Sequence, residues 1–267
     1  MPFPHSAGKH AGRPFVTPRR LLEYRALQGV AADTPPRAVV LTWQARLQEQ
    51  VRERRAGHEV PGPAGPLVVL PSGLGFTRLP IGAPVAAIVI EELAALGVQA
   101  VVGVGTAGAI SDRLAPGDLV VCSGALRDEG TSHHYAPPGR FALPDPGLTR
   151  DLRAQLPQAL PGMSWTTDAP YRETAEEITA YRGEGILTVE MEAAALFTVA
   201  RHTGVAAAAV FCVSDVMHGE QWEPHFHAAN VGQGLWTLFG AAEASLAASL
   251  PGDTRPAVPG SALPGAR

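Results

Sequence analysis

Two glutamates separated by one residue follow an apolar run. Glu190-Met191-Glu192 comes directly after "GILTV", where the chain passes from a predicted strand into a predicted helix. Carboxylates two positions apart point opposite ways from a strand and lie far apart around a helix, so they are not expected to act as one dyad. One of them can grip sugar hydroxyls in a pocket while the other makes a different contact. The alternative is that both are solvated residues at a helix start, where the helix dipole favours negative charge.

A further acidic residue follows the most apolar run of the chain. Ser214-Asp215 comes directly after "VAAAAVFCV". A partly buried carboxyl holds its proton toward neutral pH, so Asp215 is a candidate general acid if it faces a pocket. The alternative, without a catalytic role, is a helix N-cap formed by Ser214 or Asp215.

Three glycines, Gly103-x-Gly105-x-x-Gly108, follow another apolar run. A dinucleotide-binding turn has this spacing, but it also needs a helix after the third glycine and an acidic residue about 20 positions on. Asp128 meets the second requirement, whereas Pro116-Gly117 ends any helix almost as soon as it starts. The glycines therefore indicate a backbone that a ligand can approach closely, or a tight turn with no ligand.

Two polar loops carry further candidate binding groups. They span residues 127–138 and 167–174 and contain His133, His134, Tyr135, Tyr171 and Arg172. Such loops often hold binding groups, although plain solvent-facing turns look the same in one sequence. The pairs His133-His134 and His225-x-His227 lack a matched third ligand, so we expect no metal site.

Apolar runs bounded by proline or glycine predict strands covered on both faces. These runs span residues 37–42, 66–71, 98–105, 118–124, 185–189 and 205–213. Helical signals predict helices over residues 84–97, 190–204 and 227–250. Strand and helix alternate, so the expected class is α/β with a mostly parallel or mixed central sheet.

Length and composition predict one large domain. A chain of 267 residues with 46% hydrophobic content can bury a substantial core. We predict a single domain over residues 19–250, a flexible N-terminal tail at 1–18 and a disordered Pro/Gly-rich C-terminal tail at 251–267.

Charge and cysteine usage restrict the expected partners and location. A net charge of −4 and a pI near 6.1 give no electrostatic reason to expect nucleic acid. Cys122 and Cys212 lie in separate apolar runs, which suits buried thiols of a reducing compartment. No run of about 18 apolar residues predicts a membrane span. We therefore expect a cytoplasmic protein without a nucleic-acid or membrane partner.

Several motifs together resemble a known family. In chain order they are "PIGAPVAAIVIEELAALGVQAVVGVGTAGAI", "LRDEGTSHHYAPP", "TVEMEAAALFTVA" and "VSD". This order is typical of the nucleoside phosphorylase and uridine phosphorylase-like proteins and the related nucleosidases, and the resemblance covers residues 37–245. It implies a three-layer α/β/α sandwich with a mixed, partly barrel-like central sheet, assembled as a homo-oligomer such as a dimer or hexamer. It also implies cleavage of the N-glycosidic bond of a nucleoside without a cofactor, the ribose passing to inorganic phosphate or, in nucleosidases, to water.

The resemblance also implies roles for residues of these motifs. Met191 and Glu192 match ribose-binding residues, and Glu190 falls beside the base. Thr106 matches a residue at the phosphate and the ribose. The backbone of Ala107-Gly108 lies along the base, so the glycines would let a nucleoside approach the chain.

Further matches concern the leaving base and the phosphate. Ser214-Asp215 matches the pair whose aspartate protonates the base in purine-specific members, and Tyr171 falls near the aromatic position that stacks on the base. Cleavage leaves positive charge on the sugar and negative charge on the base, so Glu192 at the ribose and an acid at the base would lower the barrier. Arg46 matches one of the phosphate-binding arginines.

The chain departs from the family pattern at the phosphate site and the base site. Gly103 stands where the phosphorylases carry another phosphate arginine, and "TWQAR" replaces their early glycine-containing phosphate loop. Loss of one guanidinium should weaken phosphate binding. The Gln and Arg that read uracil in uridine phosphorylases have no clear counterpart. We therefore predict a phosphorylase that favours purine over uridine; the alternatives are a nucleosidase and a non-catalytic nucleoside-binding protein.

The family implies one contribution from a neighbouring subunit. Its active sites are often completed by an N-terminal histidine of the adjacent chain. His5 and His10 are the candidates in this sequence.

Overall fold

The computed structural model describes residues 4, 6, 8–29, 36–218 and 221–249. The helices are α1 (Pro18–Leu27), α2 (Ala45–Arg54), α3 (Ala83–Ala95), α4 (Pro146–Gln155), α5 (Ala175–Gly183), α6 (Ala193–Thr203) and α7 (Ala229–Ser249). The strands are β1 (Ala38–Thr42), β2 (His58–Gly62), β3 (Gly65–Val69), β4 (Gly75–Arg78), β5 (Ala100–Ala109), β6 (Leu119–Asp128), β7 (Phe141–Ala142), β8 (Leu160–Thr167), β9 (Ile186–Glu190), β10 (Ala206–His218) and β11 (Gln221–Pro224). Short 3₁₀ turns lie at Lys9–Ala11, Ser132–His134 and Pro170–Arg172.

The ends of the chain bear on three of the sequence predictions. The predicted C-terminal tail, residues 251–267, and the candidate His5 lie outside the described residues. The segment 1–18 was predicted to be a tail, and within it the structure describes the first 3₁₀ turn and the start of α1. The Thr17 side chain accepts a hydrogen bond from the Arg20 amide and so caps that helix.

The strands form one mixed sheet that closes partly on itself. Its order is β11-β10-β6-β8-β9-β5-β1-β4-β3-β2, with β7 paired to β6. An additional parallel pairing of β5 with β10 joins β10, β6, β8, β9 and β5 into a closed ring. The β6–β8 and β8–β9 pairs are parallel, whereas the β5–β9 and β6–β10 pairs are antiparallel. The predicted mixed, partly barrel-like sheet is therefore confirmed.

Helices cover both faces of this sheet. In β5, Val101 packs into the core beneath α3 and α6, whereas Val102 and Val104 pack into the core that includes α2, α4 and α7. The same alternation holds along β1 and along β10 as far as Val213. Strands buried on both faces are apolar at every position. This explains the apolar runs, and the predicted three-layer α/β/α sandwich is confirmed.

The predicted strands and helices all occur, with small differences at their ends, but several other elements were missed. β8 carries Pro161 and Gly162 and has no uniformly apolar run. In α2 only Leu47 and Val51 are buried, and the rest of the helix is mostly polar. Burial of such segments depends on their neighbours in the fold, so their sequences alone carry a weak signal.

The dinucleotide interpretation is excluded by the course of the chain. β5 continues through Gly103, Gly105 and Gly108 to Ala109, and the next regular element is β6. No helix therefore follows the third glycine. Asp128, at the end of β6, accepts a hydrogen bond from the Trp165 indole at 2.9 Å.

Two glycines of α7 provide a test of how closely this helix packs on the sheet. A Cβ at Gly234 would lie 2.5 Å from the Cys212 sulfur, whereas a Cβ at Gly240 meets no atom within 4 Å. We expect Gly234→Ala to lower the free energy of unfolding by about 1 kcal/mol or more through overpacking. Gly240→Ala should raise it by about 0.5–1 kcal/mol through helix propensity. Urea unfolding of both variants measures this, and a stabilised Gly234→Ala variant would contradict the described packing.

Candidate active site

The ends of several strands converge on one cavity of about 660 Å³. Its lining comes from the link between β1 and α2, the second half of β5, the β9–α6 turn, the end of β10, the segment 170–178 and the segment 221–226. The lining is mainly apolar and includes four carboxyl side chains, Glu173, Glu190, Glu192 and Asp215. Ligand sites of α/β proteins commonly lie beyond the strand ends and combine apolar walls with a few polar groups.

Nine residues of the predicted site lie at this cavity. The members of the predicted site that line it are Thr106, Ala107, Gly108, Tyr171, Glu190, Met191, Glu192, Ser214 and Asp215. Arg46 is not among the lining residues; its guanidinium donates to the backbone carbonyl of Ala228 at 2.9 Å, at the start of α7. Its role in phosphate binding stays a prediction.

Glu190 holds the turn between β9 and α6. One carboxylate oxygen accepts hydrogen bonds from the backbone amides of Glu192 and Ala193, both at 2.7 Å, and the other accepts one from the Thr166 hydroxyl at 2.5 Å. The carboxylate therefore takes up free amides at the start of α6. Burial raises the pKa of Glu190 above its ordinary value, and these hydrogen bonds act in the opposite direction. The interpretation of this residue as a solvated helix-start glutamate is wrong.

Glu192 is a buried carboxyl in the cavity wall, only 6% exposed. Its Oε1 accepts a hydrogen bond from the Gly82 amide at 2.6 Å, at the N-terminus of α3. Burial, together with the negative charge of Glu190, raises the pKa of Glu192 to about 8. Glu190 and Glu192 both line the cavity but make different contacts, as their spacing predicts: Glu190 anchors its own turn, whereas Glu192 contacts the N-terminus of α3.

Asp215 reaches the cavity through a bulge in β10. Val213 pairs with Ala107 and Asp215 pairs with Gly108, so Ser214 is an extra residue in the ladder. Val213 and Val216 both pack into the core beneath α3 and α6, although strict alternation would place them on opposite faces. The bulge thus moves Asp215 off that core face. Ser214-Asp215 lies within a strand, so the helix N-cap interpretation is wrong.

Both oxygens of the Asp215 carboxylate accept hydrogen bonds. The Ser214 hydroxyl donates to Oδ1 at 2.7 Å, and the Trp222 indole donates to Oδ2 at 2.9 Å. A Cβ at Gly108 would lie 3.0 Å from Oδ2, so the glycine leaves room for this carboxylate. Trp222 was missed by sequence reasoning because only the pairing of β11 with β10 brings it to Asp215.

The bare backbone of β5 also accommodates an indole. A Cβ at Gly103 would lie 3.1 Å from the Trp43 ring, and one at Gly105 would lie 3.3 Å from it. Trp43 and Gly105 line the cavity, whereas Gly103 does not. Next to Trp43, the Gln44 side chain donates to the Thr106 hydroxyl at 2.9 Å. The "TWQAR" segment thus supplies an apolar wall and a hydrogen bond where the sequence analysis expected an altered phosphate loop.

Glu173 is a second residue that the sequence analysis missed. It lines the cavity just before α5, and burial together with the negative charges of Asp215 and Glu177 raises its pKa to about 7. Its signal in the sequence was weak because it lies in a polar loop with no periodic pattern. Tyr171 of the same loop lines the cavity and is 99% exposed.

The loop 127–138 does not line the cavity. Arg127 donates to the Ser132 hydroxyl and to the Pro137 carbonyl, and Tyr135 donates to the Glu91 carboxylate at 2.7 Å. These bonds give the loop an internal structural role. Arg172 and the candidate His10 are likewise absent from the described lining.

Within the described ranges no group of three or more His, Cys, Asp or Glu side chains is arranged to hold a metal ion. None of the described helices is both long enough and apolar enough to cross a membrane. Cys122 and Cys212 are buried and unpaired with each other, as predicted.

The fold and the site together define a class of protein. It is an α/β protein with the nucleoside phosphorylase fold, and the cavity at its strand ends combines apolar walls with carboxyl groups. The chain belongs to the phosphorylase superfamily, because the model of that family matches residues 30–236.

Curated relatives match about half of the chain. A guanosine phosphorylase of Halorubrum lacusprofundi is 36% identical over 50% of this chain and 57% of its own length. A uridine phosphorylase of Thermococcus kodakarensis is 31% identical over 52% of this chain and 57% of its own length. A DeoD-type purine nucleoside phosphorylase of Bacillus cereus is 31% identical over 53% of this chain and 63% of its own length. The chain thus spans less than two thirds of these relatives.

Solved structures share the fold over most of the chain. Uridine phosphorylase from Vibrio fischeri aligns with a TM-score of 0.66 and 25% identity, covering 80% of this chain and 90% of that one. Purine nucleoside phosphorylase from Toxoplasma gondii, in complex with immucillin-H, aligns with a TM-score of 0.70 and 20% identity, covering 81% and 93%. AMP nucleosidase from Bacteroides thetaiotaomicron aligns with a TM-score of 0.70 and 20% identity, covering 86% and 98%.

The raised pKa of Glu192 predicts a pH-dependent stability difference for Glu192→Gln. The folded protein keeps a proton on this carboxyl up to a pH of about 8, whereas the unfolded chain releases it near the ordinary glutamate pKa of 4.5. Raising the pH from the lower pKa to the upper one therefore favours unfolding. The stability that the bound proton contributes is fully present below the pKa of the unfolded chain and is lost above the pKa of the folded protein. Glutamine removes this titration. The free energy of unfolding of the variant, relative to that of the unmodified protein, should therefore rise by about 2 kcal/mol or more between pH 5 and pH 8.5. Urea unfolding across this range checks it, and a pH-independent difference would contradict the raised pKa.

Proposed function

We propose that the protein cleaves the N-glycosidic bond of purine nucleosides and transfers the ribose to phosphate. The observation that carries the proposal is the placement of Glu192 and Ser214-Asp215 in one cavity beside the bare backbone of β5. A nucleoside needs such an arrangement, because its sugar carries hydroxyl donors and its base presents a flat face and a polar edge.

The two carboxyl groups suit the two ends of a nucleoside. Bond cleavage leaves positive charge on the sugar and negative charge on the base. Glu192, fixed by the Gly82 amide, would accept hydrogen bonds from the ribose hydroxyls and stabilise the positive sugar once ionised. Asp215, fixed by Ser214 and Trp222, would contact the polar edge of the base. Gly105 and Gly108 leave room for the nucleoside along β5.

A purine is favoured because of the chemistry of the segment 170–178. Its lining residues are Pro170, Tyr171, Glu173, Ala175 and Ile178. None of these is the Gln or Arg that the uridine phosphorylases use to read uracil. An acidic group here suits a base that is protonated as it leaves.

Phosphate is proposed as the acceptor because the curated relatives reported above are phosphorylases. Thr106, held by Gln44, and Arg46 are the proposed phosphate-binding residues. Arg46 would have to leave its contact with the Ala228 carbonyl to reach the cavity.

Water is the second candidate acceptor, and one observation favours it. Among the described lining residues none is a lysine or arginine, and the Trp43 ring packs beside Gly103 where the family arginine would stand. Carboxylates without a neighbouring cation would repel a phosphate dianion in this cavity. A nucleosidase uses water and so needs no lysine or arginine to bind phosphate.

A homo-oligomer in the cytoplasm completes the proposal. Ile81, Tyr171, Trp222 and Phe226 line the cavity and are also largely exposed, so its rim is apolar. A second copy of the chain covering this rim would bury that surface and could bring a histidine such as His10 to the site.

The first experiment measures release of free base from purine and pyrimidine nucleosides, with and without phosphate, by the protein as purified. We expect phosphate-dependent release of purine bases with formation of ribose 1-phosphate. Glu192→Gln should lower kcat/KM by about 10- to 100-fold, the value of a hydrogen bond to a charged group. Glu176→Gln, an exposed charge removal on α5, serves as the matched control and should act like the unmodified protein.

The other outcomes separate the alternatives. Equal base release in phosphate-free buffer would replace the phosphorylase by a nucleosidase. A rise in melting temperature on adding nucleoside, with no base released under either condition, would indicate a non-catalytic binding protein.

A further inference from the structure

Glu173 is a carboxyl of the cavity wall with no assigned task. It lies between the 3₁₀ turn Pro170–Arg172 and α5, and its side chain is half-buried. Within the described residues no hydrogen bond or ion pair engages its carboxyl. Its neighbours in the lining are apolar or aromatic, namely Pro170, Tyr171, Ala175 and Ile178.

Asp215 is poorly arranged to give up a proton toward the cavity. The Trp222 indole can only donate, so Oδ2 acts as an acceptor in this contact. Oδ1 accepts the Ser214 hydroxyl. Both oxygens are thus already engaged by neighbouring side chains, and neither is free to serve a ligand without giving up one of these contacts.

Charges on two elements face Glu173 and keep its proton in place. Asp215 on β10 and Glu177 on α5 both repel a negative charge at Glu173. Glu177 is itself fixed as an acceptor, because the Thr174 amide and hydroxyl both donate to its carboxylate in a capping box. Burial, together with these two carboxyl groups, raises the pKa of Glu173 to about 7, so roughly half of the molecules carry this proton at neutral pH.

We propose that Glu173 is the acid that delivers the proton to the leaving base, while Asp215, fixed by Ser214 and Trp222, holds the edge of the base. The assignment rests on the proposed function. Two carboxyl groups facing one space, one anchored by donors and the other in an apolar wall, divide into a carboxylate and a proton donor.

Cleavage transfers one proton from Glu173 to the base, and the acceptor replaces it. The bond between the anomeric carbon and the base nitrogen breaks, and its electron pair goes to the base. The Glu173 hydroxyl proton moves to N7 of the purine. An oxygen of the acceptor, phosphate or water, bonds to the anomeric carbon. The acceptor loses one proton, which returns to the Glu173 carboxylate through solvent.

The test compares two substrates that differ in their need for an acid. Guanosine needs protonation at N7 as its base leaves, whereas 7-methylguanosine already carries a methyl group and a positive charge there. We expect Glu173→Gln to lower kcat on guanosine by about 100-fold or more, as for loss of a general acid. The same variant should lower kcat on 7-methylguanosine by less than about 10-fold. Glu176→Gln is the control for loss of one negative charge on this segment and should leave both rates unchanged.

The pH profile on guanosine gives a second readout that a purely structural role would not move. A proton donor must be protonated, so kcat/KM of the unmodified enzyme should fall as the pH rises above neutrality. The residual activity of Glu173→Gln should lack this fall. Asp215→Asn should lower the activity on both substrates, because it weakens binding of the base.

Three outcomes would overturn the assignment. Equal losses on both substrates in Glu173→Gln would make Glu173 a structural residue. A loss confined to guanosine in Asp215→Asn, with Glu173→Gln unaffected, would make Asp215 the acid. Absence of base release by the unmodified enzyme from any purine nucleoside would overturn the proposed function itself, and the role of Glu173 with it.

Discussion

The parallel pairing of β5 with β10 is the constraint on which the site depends. It closes the ring of strands and sets the glycine-containing half of β5 beside the end of β10. The extra residue at Ser214 then directs Asp215 toward Gly108. A one-residue change of register would reverse the faces of the side chains that follow, and Asp215 would enter the core. Closure of the sheet and assembly of the site therefore depend on the same strand pairing.

The cavity concentrates acidic groups, and this concentration has an energetic cost. Carboxyl groups withdrawn from water without a cation either accept several hydrogen bonds or keep their protons. Glu190 takes the first course through Thr166 and the amides at the start of α6. Glu192 and Glu173 take the second, with pKa values raised to about 8 and about 7. Carboxyl groups with raised pKa values are common where side chains bind substrate or exchange protons. They are retained there although they lower the stability of the protein.

An indole occupies the space beside the bare part of β5. Trp43 packs against Gly103 and Gly105, and the cavity gains an aromatic wall. A guanidinium in this space would attract an anion, whereas an indole excludes charge and suits an apolar or aromatic ligand.

The sequence by itself determined the layers of the fold and most of the site. Apolar runs such as "VQAVVGVG" predict strands covered on both sides, and Glu190-Met191-Glu192 and Ser214-Asp215 stand where such apolar runs end. Only the tertiary structure decided which carboxyl is an anchor and which faces the cavity, that β10 bulges at Ser214, and that Trp43, Glu173 and Trp222 belong to the site. These facts depend on contacts between segments far apart in the chain. Burial and neighbouring charge fix the protonation of a carboxyl, and both arise only when the strands close around it.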